Sequence, residues 1–201
     1  WPKKAQEAYW RCFTDARVPI YLEFMVDMKE KTKRIADQVN IKVNWDQYTP
    51  FISWFPCKPH LVKEPDYDLY CFSYRDILHT GSATMEQPWL DEASKMNPYT
   101  YNIVMNAHTA RGKGLKNGDV IQIEAATGGK ATGPVRLMNG LHPRTIGIAA
   151  TAGHWAKGQP IAYKKGINFN FLMSVKFEEC DPITFNIETC VKVKIKKMER
   201  G

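Results

Sequence analysis

The stretch KGLKNGDVIQIEAATGGKATGPVRLMNGLHPRTIGI, from Lys113 to Ile148, decides the fold of this chain. It combines the turn pair Asn117-Gly118, whose residues both tolerate positive φ, with an alternating run from Val120 to Ala125. Alternate side chains of a strand share one face, so this run predicts a strand with one buried face. A glycine turn then leads into a second strand at residues 131–138, and a third follows at residues 146–150. The stretch therefore predicts strand, turn, strand, crossover and strand.

Length and composition describe an ordinary globular chain. Of the 201 residues, 44% are hydrophobic and 24% are charged, as is typical of a folded domain. This length predicts one principal core with a small appendage. No apolar run approaches the roughly 20 residues that a spanning helix needs, so no direct membrane span is predicted.

The first residue and the cysteines bear on the origin of the chain. It begins at Trp1, with neither a start methionine nor the apolar centre of a signal peptide, and we interpret it as a fragment or a processed product. The compartment stays open between the cytoplasm and the periplasm of a prokaryote.

The five cysteines include no C-x-x-C pair, so the spacing of zinc-ribbon and iron–sulfur sites is absent. Most are expected as buried thiols, and a pairing of Cys180 with Cys190 is left open.

The charge balance is basic. A formal net charge of +7 indicates an anionic partner. Part of it lies in the C-terminal tail, where Val191, Val193 and Ile195 alternate with lysines. We interpret this alternation as a half-buried strand with a solvated lysine face. Attraction to nucleic acid or to a membrane surface is the alternative, but no nucleic-acid partner is predicted.

Residues 1–64 are expected to lead into a main domain at residues 65–201. Trp1–Thr14 has weak helical character, and Arg17–Phe24 is predicted as a short strand that enters a helix. Between Glu23 and Val39, apolar residues recur at helical intervals and predict an amphipathic helix with one packed face; they are Phe24, Met28, Ile35 and Val39. Prolines interrupt the aromatic segment Asn44–His60, which is predicted as an irregular connector.

The main domain contains three further predicted strands. Asp68–Ser73 follows a proline turn, and Tyr101–Met105 ends on the polar residue Asn106. Thr184–Lys196 is predicted as the final alternating strand. A short helix is expected from Trp89 to Met96.

An ordered series of motifs in this domain resembles one family, the molybdopterin oxidoreductases of the dimethyl sulfoxide reductase type. The first signature resembles that of their C-terminal cofactor-binding domain, and it consists of Asn106, Ala110, Gly114-Leu115, Asn117 to Val120 and Pro143 to Ile148. The second is GINFNFL at Gly166–Leu172, followed by Asp181-Pro182. The resemblance covers residues 65–197 well and residues 17–60 loosely. It implies a mainly β fold with short helices, a six-stranded double-psi β-barrel, preceded by a helical and irregular N-terminal segment.

The resemblance also implies a function. The chain would be the C-terminal part of a molybdenum or tungsten oxidoreductase that holds a molybdopterin guanine dinucleotide. Its partners would be the remaining domains of that enzyme and an iron–sulfur electron-transfer subunit. The metal centre and the cluster would lie in those other domains, so we expect neither catalysis nor bound cofactor in the isolated chain. The alternative is a freestanding basic β-barrel that binds polyanions or a protein partner.

Candidate cofactor-binding residues follow from the same resemblance, and no catalytic or metal-binding residue is predicted. A diphosphate needs N–H groups and a cation, while the edge of a pterin or guanine needs paired donors and acceptors. An indole can stack on such a ring. The candidates are Ser73, Tyr74, Arg75, His79, Thr80, Asn106, His154, Trp155, Asn168 and Asn170.

Structural alternatives remain open for several candidates. Arg75 could form a surface ion pair with Asp76 or Glu86, and His79 could be a hydrogen-bonded structural histidine. Asn106 could cap the turn that follows it. The two asparagines of the second signature could hold turn geometry, and Trp155 could pack while His154 faces solvent. The usual acid of the family's motif is replaced by Thr109, so a contact made by that acid is not expected here.

Overall fold

The structure is a computed structural model that describes Lys3, residues 21–51 and residues 53–199. It divides into two compact units, Trp1–Phe55 with Pro182–Thr184 and Pro56–Asp181 with Phe185–Gly201. Apart from Lys3, the helix predicted at Trp1–Thr14 lies outside the described residues, as does the start of the strand predicted at Arg17–Phe24. The described end of that segment, residues 21–23, forms no strand. The domain division predicted between residues 64 and 65 stays a prediction.

The smaller unit contains helix α1, Phe24–Gln38. The helix buries Met25 and Ala36, whereas the residues predicted as its packed face are between 45% and 60% exposed: Phe24, Met28, Ile35 and Val39. The prediction of a packed face was therefore wrong at these positions. Helical periodicity reveals an apolar stripe, but it does not reveal whether another element covers that stripe.

The larger unit holds the barrel. Within the described residues, six strands close on themselves in the order β1-β5-β2-β4-β3-β6. These strands are β1 Leu69–Tyr74, β2 Ile103–Asn106, β3 Val120–Ala125, β4 Lys130–Met138, β5 Thr145–Ala149 and β6 Cys190–Lys197. The strand predicted from Thr184 begins only at Cys190. The predicted mainly β fold, with a six-stranded barrel, is confirmed.

Short helices precede or connect the strands. They are α2 Lys58–Leu61, α3 Pro88–Met96 and α4 Ala107–Gly112, with 3₁₀ turns at Ser82–Glu86, Phe169–Leu172 and Phe177–Glu179. No helix in the described ranges has the length and apolar character needed to cross a bilayer.

The strand alternation predicted from the sequence builds the core. Ile121, Ile123 and Ala125 of β3 are fully buried. Val193 of β6 is buried as well, but the predicted lysine face is not uniformly solvated, because Lys192 is only 8% exposed. Its Nζ donates to the Tyr67 carbonyl at 3.1 Å and lies 4.3 Å from the centre of the Tyr70 ring. The aliphatic stem and the cation–π contact keep this lysine against the barrel wall.

Strand direction separates two ends of the barrel. β1 and β5 run parallel, and Tyr74 pairs with Ala149, so both strands finish at one end, here called the upper rim. β2 runs antiparallel to β5, with Val104 opposite Gly147, and therefore finishes at the opposite end, the lower rim. The long connections at residues 75–102 and 150–189 consequently both start from the upper rim.

Candidate functional site

A cleft of about 300 Å³ opens on the upper rim beside the end of β5. Residues that follow β5 form most of its wall, and Ser82 together with the start of the Phe169–Leu172 turn contributes the rest. The lining residues are Ser82, Ala150, Thr151, Ala152, Gly153, His154, Trp155, Ala156, Asn168 and Asn170.

Two polar atoms in this cleft are buried without a partner. Thr151 is 2% exposed, and neither its Oγ1 nor the Nε2 of His154 has a hydrogen-bond partner among the described residues. A buried polar group that makes no hydrogen bond costs about 1–3 kcal/mol. Such groups are uncommon in folded proteins and require an explanation, such as a ligand or an ordered water. The cleft is therefore lined by two residues whose buried polar atoms have no hydrogen-bond partner among the described residues.

Gly153 brings the two walls of the cleft together. Its φ is +83°, and a Cβ at this position would lie 2.1 Å from the Asn168 backbone nitrogen. Its own N–H donates to the Lys165 carbonyl at 2.7 Å, and the Lys164 N–H donates to the His154 carbonyl at 2.7 Å. Only a residue without a Cβ allows this approach at a positive φ.

The remaining cleft side chains differ in how they are held. The Asn168 Oδ1 accepts from the Asn170 N–H at 2.9 Å and so caps the 3₁₀ turn. This contact is the one described by the alternative that the two asparagines hold turn geometry. Asn170 is exposed. Trp155 is 70% exposed, so the alternative of a packed Trp155 is wrong, and its indole stands at the cleft with a face available for stacking.

The loop after β1 is organised around Asp76, which sequence reasoning treated only as a possible partner of Arg75. Asp76 is 4% exposed. Its carboxylate accepts hydrogen bonds from the Leu78 N–H at 2.9 Å, from the Asn97 amide at 3.0 Å and from the Thr100 hydroxyl at 2.6 Å. The signal in the sequence that could have indicated this role was an acid close to the end of a predicted strand, ahead of a loop rich in polar residues. A buried carboxylate needs such partners.

Two predicted residues at the end of β1 and the start of this loop, Tyr74 and Arg75, have their polar groups engaged within the domain. The exposed guanidinium of Arg75 donates to the Thr80 carbonyl, and the Glu86 carboxylate accepts from the backbone of Ile161 and Ala162. The Tyr74 hydroxyl donates to the Tyr99 carbonyl at 2.7 Å. Burial raises the pKa of Tyr74, with the charge of Asp76 adding to the effect, so this phenol stays protonated.

His79 is fully buried, and both its ring nitrogens have partners. Nδ1 lies 3.0 Å from the Thr84 Oγ1, and Nε2 lies 2.7 Å from the Ser94 Oγ. Because the Thr84 hydroxyl donates to the Gly81 carbonyl, the Thr84 oxygen accepts from Nδ1–H, and a neutral His79 then accepts at Nε2 from Ser94. This is the arrangement of a hydrogen-bonded structural histidine.

A buried carboxylate links the loop after β1 to the loop that forms the cleft. Asp91 of α3 accepts from the Lys165 Nζ at 2.6 Å and from the Tyr101 hydroxyl at 2.9 Å. Burial alone would raise the pKa of Asp91, but the hydrogen bonds from Lys165 and Tyr101 hold it below its usual value. The carboxylate is therefore ionised at neutral pH, and it holds the two loops together.

Asn106 lies at the other end of the barrel. Its Oδ1 accepts from the His108 N–H at 2.9 Å and the Thr109 N–H at 3.1 Å, so it caps α4. Its Nδ2 donates to the Leu141 carbonyl at 2.6 Å. As the last residue of β2, it stands on the lower rim, away from the cleft. The capping alternative describes its observed contacts.

Comparison with known proteins then identifies the family. A family model described as "Molydopterin dinucleotide binding domain" matches residues 69–188, which include the loop after β1 and the whole cleft. The chain belongs to this family. A search of curated proteins found no match.

Among solved structures, this molydopterin dinucleotide binding domain is similar to Acetylene Hydratase from Pelobacter acetylenicus. The match has a TM-score of 0.57 and 18% sequence identity, and it covers 82% of this chain and 22% of that chain. At this identity the likeness shows the fold alone. The chain thus spans about a fifth of the length of that neighbour.

The upper rim of the domain brings together most of the residues predicted for the site. His154, Trp155, Asn168 and Asn170 line the cleft. The other upper-rim candidates belong to the end of β1 and the loop after it: Ser73, Tyr74, Arg75, His79 and Thr80. Asn106 is separated from both groups. Sequence reasoning missed Thr151, for which the only signal was its position directly after a buried strand. Cofactor contact stays a prediction for every one of these candidates.

The chemistry of the cleft suits a polar ligand with a flat ring. A hydroxyl, an imidazole and two amides offer donors and acceptors, and the indole offers a stacking face. Among the residues that the structure describes, no group of three or more histidine, cysteine, aspartate or glutamate side chains could hold a metal ion.

Proposed function

We propose that this domain holds a pyranopterin guanine dinucleotide at its upper rim, as the C-terminal part of a larger molybdenum or tungsten oxidoreductase. The observation that supports this most strongly is the pair of buried, unpartnered atoms in the cleft, Thr151 Oγ1 and His154 Nε2. Both would gain hydrogen bonds on binding a polar ligand, which would remove the cost of leaving them unpartnered.

The residues of the cleft fit the chemistry of this cofactor. The Thr151 hydroxyl can donate to a phosphate oxygen, and the His154 Nε2 can form a second hydrogen bond to the ligand. The Asn170 amide can pair with the edge of a guanine or a pterin, and the exposed Trp155 ring can stack on its face. The net charge of +7 favours an anionic ligand over a neutral one.

The chemistry of the parent enzyme would belong to its other domains. When bound, the cofactor would supply a metal centre that transfers electron pairs and oxygen atoms, whereas this domain would supply binding and orientation. The coverage of 22% of the structural neighbour supports a chain that works within a longer protein. An iron–sulfur subunit would be the natural electron-transfer partner of such an enzyme.

A ligand enclosed between several domains should bind weakly to one of them. The isolated chain would lose the contacts of the missing walls while still ordering the ligand. We therefore expect a Kd for GDP, a fragment of the dinucleotide, of about 1 mM or weaker, which corresponds to roughly −4 kcal/mol.

Saturation-transfer NMR with GDP, ADP and CDP tests the proposal. We expect the strongest transfer to GDP, a clear loss in Thr151→Ala, and no loss in Thr132→Ala, whose exposed side chain on β4 lies outside the cleft lining. Equal, strongly salt-dependent binding of all three nucleotides and of other polyanions would instead support the basic interaction module. Micromolar affinity of the isolated chain would contradict a ligand shared between domains.

A further inference from the structure

The chain contains two Asn-Gly pairs, and the structure places them in contrasting surroundings. Asn117-Gly118 lies in the turn before β3, and Asn139-Gly140 lies in the turn that follows β4. Because β4 runs parallel to β2, with Met138 opposite Asn106, the second pair stands on the lower rim. It is therefore separate from the cleft on the upper rim.

An Asn-Gly pair carries the reactants of a deamidation. The glycine nitrogen, once it has lost its proton, attacks the asparagine Cγ and closes a cyclic succinimide. The bond from Cγ to Nδ2 breaks, and the amide nitrogen takes up that proton and leaves as ammonia. Water then opens the ring at either of its carbonyls, which yields aspartate or isoaspartate. Glycine favours the attack because no Cβ shields its nitrogen or restricts its backbone.

Hydrogen bonds hold both reacting groups of Asn117-Gly118 in place. The Asn117 Oδ1 accepts from the Leu137 N–H at 2.7 Å, and the Gly118 N–H donates to the Val135 carbonyl at 2.9 Å. A succinimide can form here only after the amide and the nitrogen have left these partners. That opening costs free energy as long as the domain is folded.

Asn139-Gly140 has neither of these restraints. Both residues are exposed, and within the part of the chain that the structure describes, no hydrogen bond engages the Asn139 amide or the Gly140 N–H. A Cβ added at Gly140 would meet the Met138 Cε at 4.0 Å, beyond its chain neighbours, so the surroundings are open. The Asn139 amide can therefore turn toward the Gly140 nitrogen without breaking a described contact of the fold.

We propose that Asn139 is a site of spontaneous deamidation in the folded domain, whereas Asn117 is protected by its hydrogen bonds. Water is the co-reactant, ammonia is released, and the turn gains one negative charge. An isoaspartate also carries the main chain through the Cβ and Cγ atoms, which lengthens the turn between β4 and β5. This proposal does not depend on the proposed cofactor function.

The modified turn would disturb a contact with α4. The Leu141 carbonyl, two residues beyond Asn139, accepts from the Asn106 Nδ2 at 2.6 Å. Asn106 also caps α4 through the His108 and Thr109 N–H groups. A longer main chain at residue 139 would displace the Leu141 carbonyl, whereas an ordinary aspartate would leave the path of the backbone unchanged.

Tryptic peptide mapping after incubation in mildly alkaline buffer at body temperature tests the site. Asn139 falls in the peptide of residues 137–144 and Asn117 in that of residues 117–130. Conversion of amide to carboxyl should be at least about ten times faster at Asn139 in the folded chain, since Asn117 must first give up two hydrogen bonds. In urea the two rates should converge. Equal rates in the folded chain, or an Asn139 that stays intact while the unfolded chain reacts, would overturn the proposal.

Two glycine variants test the attacking nitrogen. Gly140→Ala should suppress most of the reaction at Asn139, because the added Cβ shields that nitrogen. Gly140 has no positive φ and open surroundings, so the variant should fold. Gly158→Ala, whose added Cβ meets no atom within 4 Å, is the matched control and should leave the rate unchanged. Equal rates in Gly140→Ala and wild type would contradict attack by the Gly140 nitrogen.

Amide shifts of the purified products test the effect on α4. The isoaspartate form should move the Asn106 and His108 signals, whereas Asn139→Asp, which has the same charge and a normal backbone, should leave them in place. Unmoved signals in the isoaspartate form would overturn the displaced contact.

Discussion

Lys165 donates a hydrogen bond of 2.6 Å to Asp91 and thereby joins the loop that forms the cleft to α3. The Asp91 side chain is 8% exposed and that of Lys165 is 35% exposed, so the pair is well shielded on the carboxylate side only. The Tyr101 hydroxyl completes the site at 2.9 Å. The position of the cleft wall thus depends on one buried carboxylate, although that carboxylate does not line the cleft.

Asp91→Asn should destabilise the domain by about 1–3 kcal/mol at neutral pH, since it leaves Lys165 without its anionic partner. Urea unfolding measures the change. Glu92→Gln on the same helix is the control, because its ion pair with Lys95 is exposed on both sides and should contribute little. Equal effects of the two substitutions would show that the buried pair has no special role.

The contribution of Asp91 should depend on pH. Hydrogen bonds from Lys165 and Tyr101 hold its folded-state pKa below the usual value against the opposing effect of burial. The stability it provides is therefore complete above the unfolded-state pKa of about 3.9 and is lost as the pH falls through the lower folded-state pKa. The difference between wild type and Asp91→Asn should therefore be constant above about pH 5 and shrink as the pH falls further. A difference that grows on acidification would contradict this assignment.

Gly153→Ala should disrupt the cleft. The new Cβ would lie 2.1 Å from the Asn168 nitrogen at a φ of +83°, and strain of this kind costs on the order of 1–3 kcal/mol or more. Circular dichroism melting should show a clear loss of stability. Gly158→Ala is the matched control in the same loop, since no atom lies within 4 Å of its added Cβ. Equal melting of both variants would argue against the close approach at Gly153.

Ser94→Ala should cost about 1–3 kcal/mol, because it leaves the buried Nε2 of His79 without a hydrogen-bond donor. The wild-type ring should be the Nδ1–H tautomer, which long-range ¹H–¹⁵N correlation spectra detect. A ring protonated only at Nε2 would contradict the hydrogen-bond order from His79 through Thr84 to Gly81.

Much of the barrel could be predicted from local pattern. Alternation at Val120–Ala125 and the glycine turn at Thr127–Gly129 specify the hairpin of β3 and β4, because side-chain period and turn chemistry act over a few residues. The capping alternative for Asn106 could be foreseen for the same reason. In contrast, periodicity indicated that α1 has an apolar stripe but not that Phe24 and Ile35 would be exposed, which depends on neighbours distant in sequence.

The grouping of the candidate site could not be predicted in full. Asn106 and Tyr74 both end strands, yet they lie at opposite rims, because β2 runs antiparallel to β5 whereas β1 runs parallel to it. Strand direction in a closed barrel follows from the order of all its strands, which no single motif encodes. The Thr151 Oγ1 likewise lacks a hydrogen-bond partner because of how the surrounding residues pack. A threonine at this position in the sequence does not indicate that its hydroxyl is unpartnered.

The central claim is that the cleft at the upper rim binds the guanine dinucleotide. The most direct measurement is a titration of ¹⁵N-labelled protein with GDP, followed by backbone amide shifts. We predict that the largest shifts fall at residues 151–156 and 168–170, with little change at Asn106 and α4 on the lower rim. Shifts that instead spread along the lysines of β6, or that centre on the lower rim, would contradict the account.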